Sequence, residues 1–405
     1  MRTLYDAVVV GAGPTGSATA RDMARQGFKV VLLEEHEAVG RPTHCSGLVS
    51  PRTLQTAGVG HDVVLNRIVG ARIYIPSGRE FVIGGDRVRA YVIDRTGFDA
   101  LLCREAEEAG ALLEMETRFS HLHREGRLLR IHVDRRGRSL SFRTKLLIGA
   151  DGAASRVAEQ IGLTQTDGII RCLTGEVRSG RDPDGLVDIF LDKESAPGWF
   201  GWSVPLEDGR AQVGTGVADG FKPSASLRLL AQVFPRQLGD LRPLRLEAGA
   251  LPLWTPMKPY ASNVLLVGDA ARQVKPTSGG GIYPGLVGAK LAARVAVAAL
   301  KEDNLSEAFL SRYQNMFSDE LGDEFKRATD IRRIFLSLSN ERLERLLAIL
   351  NDEKRQRILR DYGDIDFPSR LFYELAKATP SLLTLIRVPL RYPRAWLPWR
   401  YKGGN

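Results

Sequence analysis

Cysteine is scarce in this chain: Cys45, Cys103 and Cys172 are the only three among 405 residues. An odd, widely spaced set gives no disulfide framework, fits a reducing cytoplasm, and falls short of the four ligands of a cubane iron–sulfur cluster. Nor is there an unbroken apolar run of about 18 residues, so no spanning helix is expected. The first apolar β-forming run begins within a few residues of Met1, which leaves no room for a secretory leader. Internal repeats and low-complexity tracts are missing, as are helix-turn-helix, zinc-finger and RNA-binding signatures, so nucleic acid is not an expected partner. No metal-ligand set is assigned. Acidic residues are outnumbered, 48 against 57 Lys and Arg, for a formal charge of +9. That charge suits a generic basic surface, and equally anionic lipid headgroups or phosphorylated substrates. With 43% hydrophobic and 26% charged residues the composition is globular, and the length predicts two or three domains.

What is present is concentrated first in Asp6 to Glu35. An apolar run, Ala7 to Val10, leads into Gly11-Ala12-Gly13-Pro14-Thr15-Gly16; a helical pattern follows to Gly27, and a second apolar strand, Val30 to Leu33, ends in Glu34 and Glu35. Each part has a physical role. Gly11 allows the tight turn, Gly13 the close approach of a pyrophosphate, and Gly16 the packing of helix on strand. The helix N-terminus offers free N–H groups to the phosphates. Glu34 lies where a carboxylate can accept hydrogen bonds from a ribose, which favours FAD or NAD over NADP.

Further on, residues 66–93 alternate as strands around Pro76-Ser77-Gly78. Arg95 opens a helix that stops at Gly110, and short strands are expected at 113–119, 128–133 and 140–143. Lys145 to Val157 reads as a buried strand, the turn Ala150-Asp151-Gly152, and a short helix. Residues 168–220 read as β-structure and 225–240 as helix. Val264 to Asp269 is a third buried strand, followed by a Gly-rich turn and an Ala-rich helix at about 285–301; amphipathic helix dominates from 305. The expected fold is α/β (α+β overall). A Rossmann-like dinucleotide-binding domain (1–65, 94–165 and 260–302) is interleaved with a β-sheet domain that covers its site (66–93 and 166–259), and a C-terminal helical region spans 303–405. In that last part Tyr392, Trp396, Trp399 and Tyr401 stand among arginines, a pattern that suits either an interfacial anchor or packing onto the body.

Three separated motifs carry a resemblance: Gly11-x-Gly13-x-x-Gly16 with Glu34; Ala150-Asp151-Gly152 with Ser155 and Arg156; and Val267-Gly268-Asp269-Ala270-Ala271. Together they resemble the FAD-binding motifs of the flavoprotein group that includes aromatic hydroxylases and geranylgeranyl reductases, over roughly residues 1–300. In that group the aspartate corresponding to Asp269 bonds the ribityl chain, and the turn after it lies by the isoalloxazine ring. Independently of the resemblance, Asp269 ends a buried strand where ligands gather in parallel sheets, or else caps the next helix. Backbone N–H groups of Gly279, Gly280 and Gly281, before Ile282, can stabilise negative charge on a reduced flavin. Asp151 also reads as a simple turn residue.

Within that group, Gly40-Arg41-Pro42-Thr43-His44-Cys45-Ser46-Gly47 resembles the cysteine-bearing loop beside the flavin of geranylgeranyl reductases. Phe200-Gly201-Trp202-Ser203-Val204-Pro205 followed by Gly214-Thr215-Gly216 is similar to their substrate motif, with Phe200 for the usual tyrosine and Val204 for the usual phenylalanine. Arg95 heads a segment similar to one whose arginine approaches the cofactor; a salt bridge to Asp99 is the rival reading.

The resemblance implies reduction of isoprenoid C=C bonds on a lipid, diphosphate or quinone. Aromatics such as Phe200 and Trp202 suit an uncharged prenyl chain, or plain sheet packing. Alkene reduction needs a hydride from flavin N5 and a proton, for which Cys45, or water near it, and His44 are the candidates. Gly280 is grouped with them for its backbone N–H. An aromatic monooxygenase or halogenase, and a non-catalytic membrane-associated flavin protein, are the alternatives. The expected partners are a prenyl lipid, a low-potential donor (reduced ferredoxin, a deazaflavin or NAD(P)H), and the inner face of the membrane.

Overall fold

The computed structural model describes residues 3–43, 45–85, 87–178, 184–238, 245–380, 382 and 389–396. Its first layer grows from four strands whose paired stretches carry almost no polar side chain. Leu4–Val10 pairs in parallel with Val30–Leu33 on one side and with Arg138–Gly149 on the other, and the latter pairs in parallel with Val264–Leu266. Ala7, Val8, Val9, Val31, Leu32, Leu147, Ile148, Leu265 and Leu266 are fully buried, as strands covered on both faces must be. Registers bring Val10 level with both Leu33 and Gly149, and Gly149 level with Leu266. The carboxyl ends of all four strands therefore open on one edge, where such sheets bind ligands.

Helices Pro14–Ala24 and Ile282–Lys301 pack on each other across this sheet, with Arg95–Glu108 beside the first. Ile282–Lys301 is long and apolar enough to cross a bilayer by length and composition. Ala289, Ala292, Ala296 and Ala299 along it are nevertheless wholly inside the protein, and their small size lets it approach its neighbours.

A second sheet of seven described strands runs Arg245–Pro252, Ile169–Arg178, Arg210–Ala218, Gly201–Pro205, Leu186–Phe190, Gly70–Tyr74, Glu80–Gly84. A small third sheet joins Leu48–Val49, Ala90–Ile93 and Val64–Ile68. After the Ala-rich helix the described chain is helical, from Glu307–Phe317 to Pro368–Ala378.

Local expectations are revised in places, among them the strand at 113–119, which a turn with Glu116 at φ +52° splits into Leu112–Glu114 and Thr117–Glu125. The strand at 140–143 is not separate: Arg138–Gly149 is continuous, pairing antiparallel with Leu128–Arg135 at its start and parallel with Leu4–Val10 at its end. No turn residue interrupts Phe142-Arg143-Thr144-Lys145, so nothing stops the strand. Conversely, the helix expected over 225–240 breaks into Pro223–Val233 and Pro235–Leu238, because Pro235 has no N–H to continue the first.

Leu265→Ala should lower unfolding free energy by roughly 2–5 kcal/mol, read as a shifted midpoint in urea. An unchanged midpoint would mean that the four-strand core is not the stabilising layer.

Candidate functional site

The three motifs meet through atoms that glycine lacks. A Cβ on Gly16 would lie 1.9 Å from the carbonyl oxygen of Gly11, and one on Gly11 would lie 2.4 Å from that of Ala150. Gly11 has φ +99°, a conformation other residues rarely take. On the far side, Thr15 fills the space a side chain would need at both Gly268 and Gly285, with Cβ separations of 2.6 and 2.5 Å. Motif one thus touches motif two by backbone and motif three through Thr15. Gly13 is different, with nothing within 4 Å of a Cβ built there. It is the N-cap of Pro14–Ala24, has no side-chain cap, and no acid lies in the first turn. A pyrophosphate can approach that open position and its unpaired N–H groups.

Glu34 is buried, and its two oxygens are held: Oε2 accepts from Ala12 N at 3.0 Å, while Oε1 accepts from His36 N at 3.0 Å and faces His36 Nδ1 at 2.6 Å. It braces the glycine loop. Glu35 is exposed. Asp151 accepts from Ser155 Oγ at 2.6 Å and Val157 N at 3.0 Å, so it ties down its own turn; burial, chiefly, raises its pKa. Gly152, at φ +74°, leaves open space beside it.

Loop 40–47 docks beneath this edge. A Cβ on Gly47 would meet Ile93 O at 2.5 Å, and one on Gly40 would meet Thr96 Cα at 3.0 Å. The Gln212 amide donates to Cys45 O at 3.0 Å, tying the loop to the seven-stranded sheet. Arg95 makes a bidentate pair with Asp99, 3.1 and 2.9 Å. Burial works against its charge, but Asp99 and then Cys45 outweigh it and hold its pKa above the ordinary value. Arg95 therefore has the expected salt bridge and also stands beside the Cys45 sulfur. A cavity of about 380 Å³ opens here, lined by Arg41, Cys45, Ser46, Gly47, Arg95 and Gln212 among others. His44 lies outside the described residues.

Asp269 lies in the single helical turn Gly268–Ala271 that follows Val264–Leu266, and a Cβ on Gly281 would meet its Oδ1 at 2.8 Å. Its carboxylate thus faces the start of Ile282–Lys301, a helix with no side-chain cap. Burial pushes its pKa up to about 6, with the Arg95 charge pulling the other way.

Phe200 sits just ahead of strand Gly201–Pro205, its ring edge-on to Trp202 with centroids 6.2 Å apart. The Gly-x-Gly run has a steric cause: Gly214 makes room for Trp202 (2.5 Å to its Cζ2) and Gly216 for Trp199 (2.4 Å to its Cδ1). Pro205 closes the strand, its carbonyl accepting from Asn66 at 3.3 Å.

Two residues here escape a reading of the sequence. Trp199, 2% exposed, fills the space beside Gly216 and beside Gly279 (3.1 Å to its Cζ2), and so joins the substrate-motif strand to the glycine turn. Lys275 lies under Gly280, 2.6 Å from a Cβ there, and pairs with buried Asp366 at 2.7 Å. Adjacency to the motifs is the only local signal in both cases.

The residues fit FAD. Open space at Gly13, the uncapped helix starts, and the turn at Gly279–Gly281 form the cradle, and Ser278 Oγ and Gln212 Oε1 are buried without a hydrogen-bond partner among the described residues. Cys103 is buried away from the site, in the core of the first sheet, whereas Cys172 is buried in the cluster that holds Trp199, Phe200 and Trp202. Of the C-terminal aromatics, Trp396 donates to Asp330 at 3.1 Å and Tyr392 N to the same carboxylate, so these two are committed to the body. Trp399 and Tyr401 lie outside the described residues.

Comparison with known proteins agrees with this geometry. Residues 4–181 match the family described as an FAD binding domain. The chain is 34% identical over 373 residues to digeranylgeranylglycerophospholipid reductase 2 of Methanopyrus kandleri, covering 88% of this chain and 93% of that relative. Among solved structures, a geranylgeranyl bacteriochlorophyll reductase-like protein from Thermoplasma acidophilum matches with a TM-score of 0.82 and 25% identity, across 94% of this chain and 100% of its own. A flavin-dependent brominase matches with a TM-score of 0.71 and 15% identity, across 94% of this chain and 100% of its own, a likeness of fold alone.

Asp269 gives a signed pH effect. Its carboxyl has an ordinary value of 3.8 and about 6 when folded, so the folded apoprotein holds the proton longer than the unfolded chain. Its contribution to stability is fully present below about pH 4 and declines as pH rises to about 6. The stability difference between wild type and Asp269→Asn, measured by urea unfolding across that range, should shift against wild type as pH rises. A pH-independent difference would contradict it.

Proposed function

This chain belongs to the family of digeranylgeranylglycerophospholipid reductases, and on that premise we propose that it saturates C=C bonds of geranylgeranyl chains as an FAD-dependent oxidoreductase acting on CH–CH groups. The observation that carries this is the position of Trp199, with Gly216 on one side and the glycine turn at Gly279 on the other. The aromatic strand thereby abuts the turn where the reactive end of the cofactor belongs. The fold is also that of a halogenase, but fold alone does not assign chemistry.

In the proposed arrangement the sheet built around Leu4–Val10, with its helices, is the cofactor domain, and the seven-stranded sheet covers it from the substrate side. Gly11, Gly13, Pro14, Thr15, Gly16, Glu34, Ala150, Gly152, Gly268 and Asp269 hold FAD. When reduced, FAD supplies a hydride to one carbon of the alkene. The chain's own residues do the rest. N–H groups of Gly280 and Gly281 and the start of Ile282–Lys301 would favour the negative charge that the ring carries while reduced, before the hydride leaves. Phe200 and Trp202 present apolar faces that orient an uncharged chain. Cys45 stands beside Arg95 in the cavity, and its thiol, or water bonded to it, delivers the proton to the second carbon. Arg41 and Ser46 line the same cavity.

A low-potential donor, such as a reduced ferredoxin, a deazaflavin or NAD(P)H, recharges the cofactor. A lipid substrate and the +9 charge favour action in the cytoplasm at the inner membrane face.

With dithionite as reductant and no oxygen, mass spectrometry should find geranylgeranyl lipids gaining hydrogen pairs stepwise. Trp202→Ala should abolish the gain. Cys45→Ala should slow it by about 10²-fold if the thiol is the proton donor. No gain with any prenyl substrate would contradict the proposal.

A further inference from the structure

Gly280 and Gly281 have neighbours of opposite charge. A Cβ on Gly281 would meet the Asp269 carboxylate, whereas one on Gly280 would meet the Lys275 stem at 2.6 Å and its ammonium at 3.0 Å. Lys275 also closes the turn by its backbone: its N–H donates to Gly280 O at 3.2 Å, and its carbonyl accepts from Gly279 N at 3.0 Å. The lysine is 6% exposed. Its ammonium donates to Asp366 Oδ1 at 2.7 Å and to Ile365 O at 3.0 Å. No atom of Asp366 comes nearer to that Gly280 position than Ser278 Oγ, at 3.6 Å. The pair is therefore an oriented dipole, with its positive end against the glycine turn and its negative end on the C-terminal segment.

A pin alone does not need these charges. Buried ion pairs add little stability over apolar packing of the same volume, and this one is incompletely satisfied. Asp366 Oδ2 is buried with no hydrogen-bond partner among the described residues, and Arg52 Nη1 lies 3.7 Å away, itself bonded to Asp364 at 3.0 and 2.8 Å. What the charges add is a field. Inside a protein it is screened far less than in water. It points the same way as the uncapped start of Ile282–Lys301, whose first turn carries no acid. Both favour negative charge at the turn, and Asp269 opposes them. A reduced flavin carries negative charge that the oxidised ring does not, so the balance of these groups enters its reduction potential.

We propose that Lys275 raises the reduction potential of the bound FAD and that Asp366 restrains it. Lys275 acts through space from beneath Gly280 and eases reduction of the ring by the donor. Asp366 keeps the reduced ring from being held too firmly to give up its hydride. The C-terminal helical region thus enters the redox chemistry through one carboxylate. The inference rests on the proposed arrangement for the ring's place at the glycine turn, and on nothing about the substrate.

The test is an anaerobic reductive titration of the FAD-loaded enzyme against a reference dye, without substrate, at about pH 7, below the ordinary lysine value. Lys275→Met should lower the reduced-to-oxidised ratio at a fixed potential at least about tenfold, about 30 mV for a two-electron couple. Asp366→Asn should raise that ratio, and Lys275→Arg should stay close to wild type. A merely structural pin would move both single variants the same way, through a loosened turn, or neither. If Lys275→Met fails to fold with Asp366 left unpaired, Lys275→Met/Asp366→Asn is compared with Asp366→Asn and should lie lower by a similar factor. Unchanged potentials, or shifts in one direction in both single variants, would overturn the assignment. Prenyl turnover is measured separately on wild type. Opposite shifts in an enzyme that reduces no prenyl lipid would contradict the reductase reading and leave the role of Lys275 standing.

Discussion

Backbone-to-backbone approach at a few glycines is the constraint on which the rest of this molecule depends. Gly11, Gly16 and Ala150 are so close that a single added Cβ would collide with a carbonyl, and Thr15 occupies the volume that side chains at Gly268 and Gly285 would take. These contacts join segments far apart in the chain, and they do so at the carboxyl edge of the parallel sheet. Without them the strands could still pair, but the Gly11–Gly16 loop, the Asp151 turn and the Asp269 turn would not share one cleft. The open space kept at Gly13 is the complement of this crowding, since a ligand rather than a neighbour fits there.

A second layer of order is electrostatic. Arg95 faces Asp99 directly, lies beside Cys45, and pulls the pKa of Asp269 downward against burial. One guanidinium therefore acts on both the loop that carries the thiol and the turn that carries Asp269. On the opposite flank, Lys275 and Asp366 pin the C-terminal helical region beneath Gly280. The C-terminal part of the chain, least readable in sequence, supplies this pin and also Arg332 over Trp199.

What is legible in the sequence follows from the range of the forces involved. Gly11-x-Gly13-x-x-Gly16, the apolar strands and Pro-Gly turns act over a few residues, so their pattern is written locally. The buried strand leading to Asp269 is readable for the same reason. Continuity of Arg138–Gly149 is not, because it is set by two different partners along one strand. Trp199 is equally silent in sequence, since its role needs Gly216 and Gly279 brought together from separate parts of the chain. The aromatic C-terminal segment has two local readings, and Asp330, from a helix 66 residues earlier, decides between them for Trp396.

The most direct test is a single-turnover experiment in anaerobic stopped flow. Enzyme-bound FAD, reduced beforehand, is mixed with a geranylgeranyl lipid, and the return of oxidised flavin absorbance is followed. Reoxidation that depends on prenyl concentration, yields one saturated bond per flavin, and does not occur with phenolic acceptors is the predicted result. Flavin that stays reduced with every prenyl lipid, and reoxidises only with oxygen and an aromatic substrate, would contradict the account.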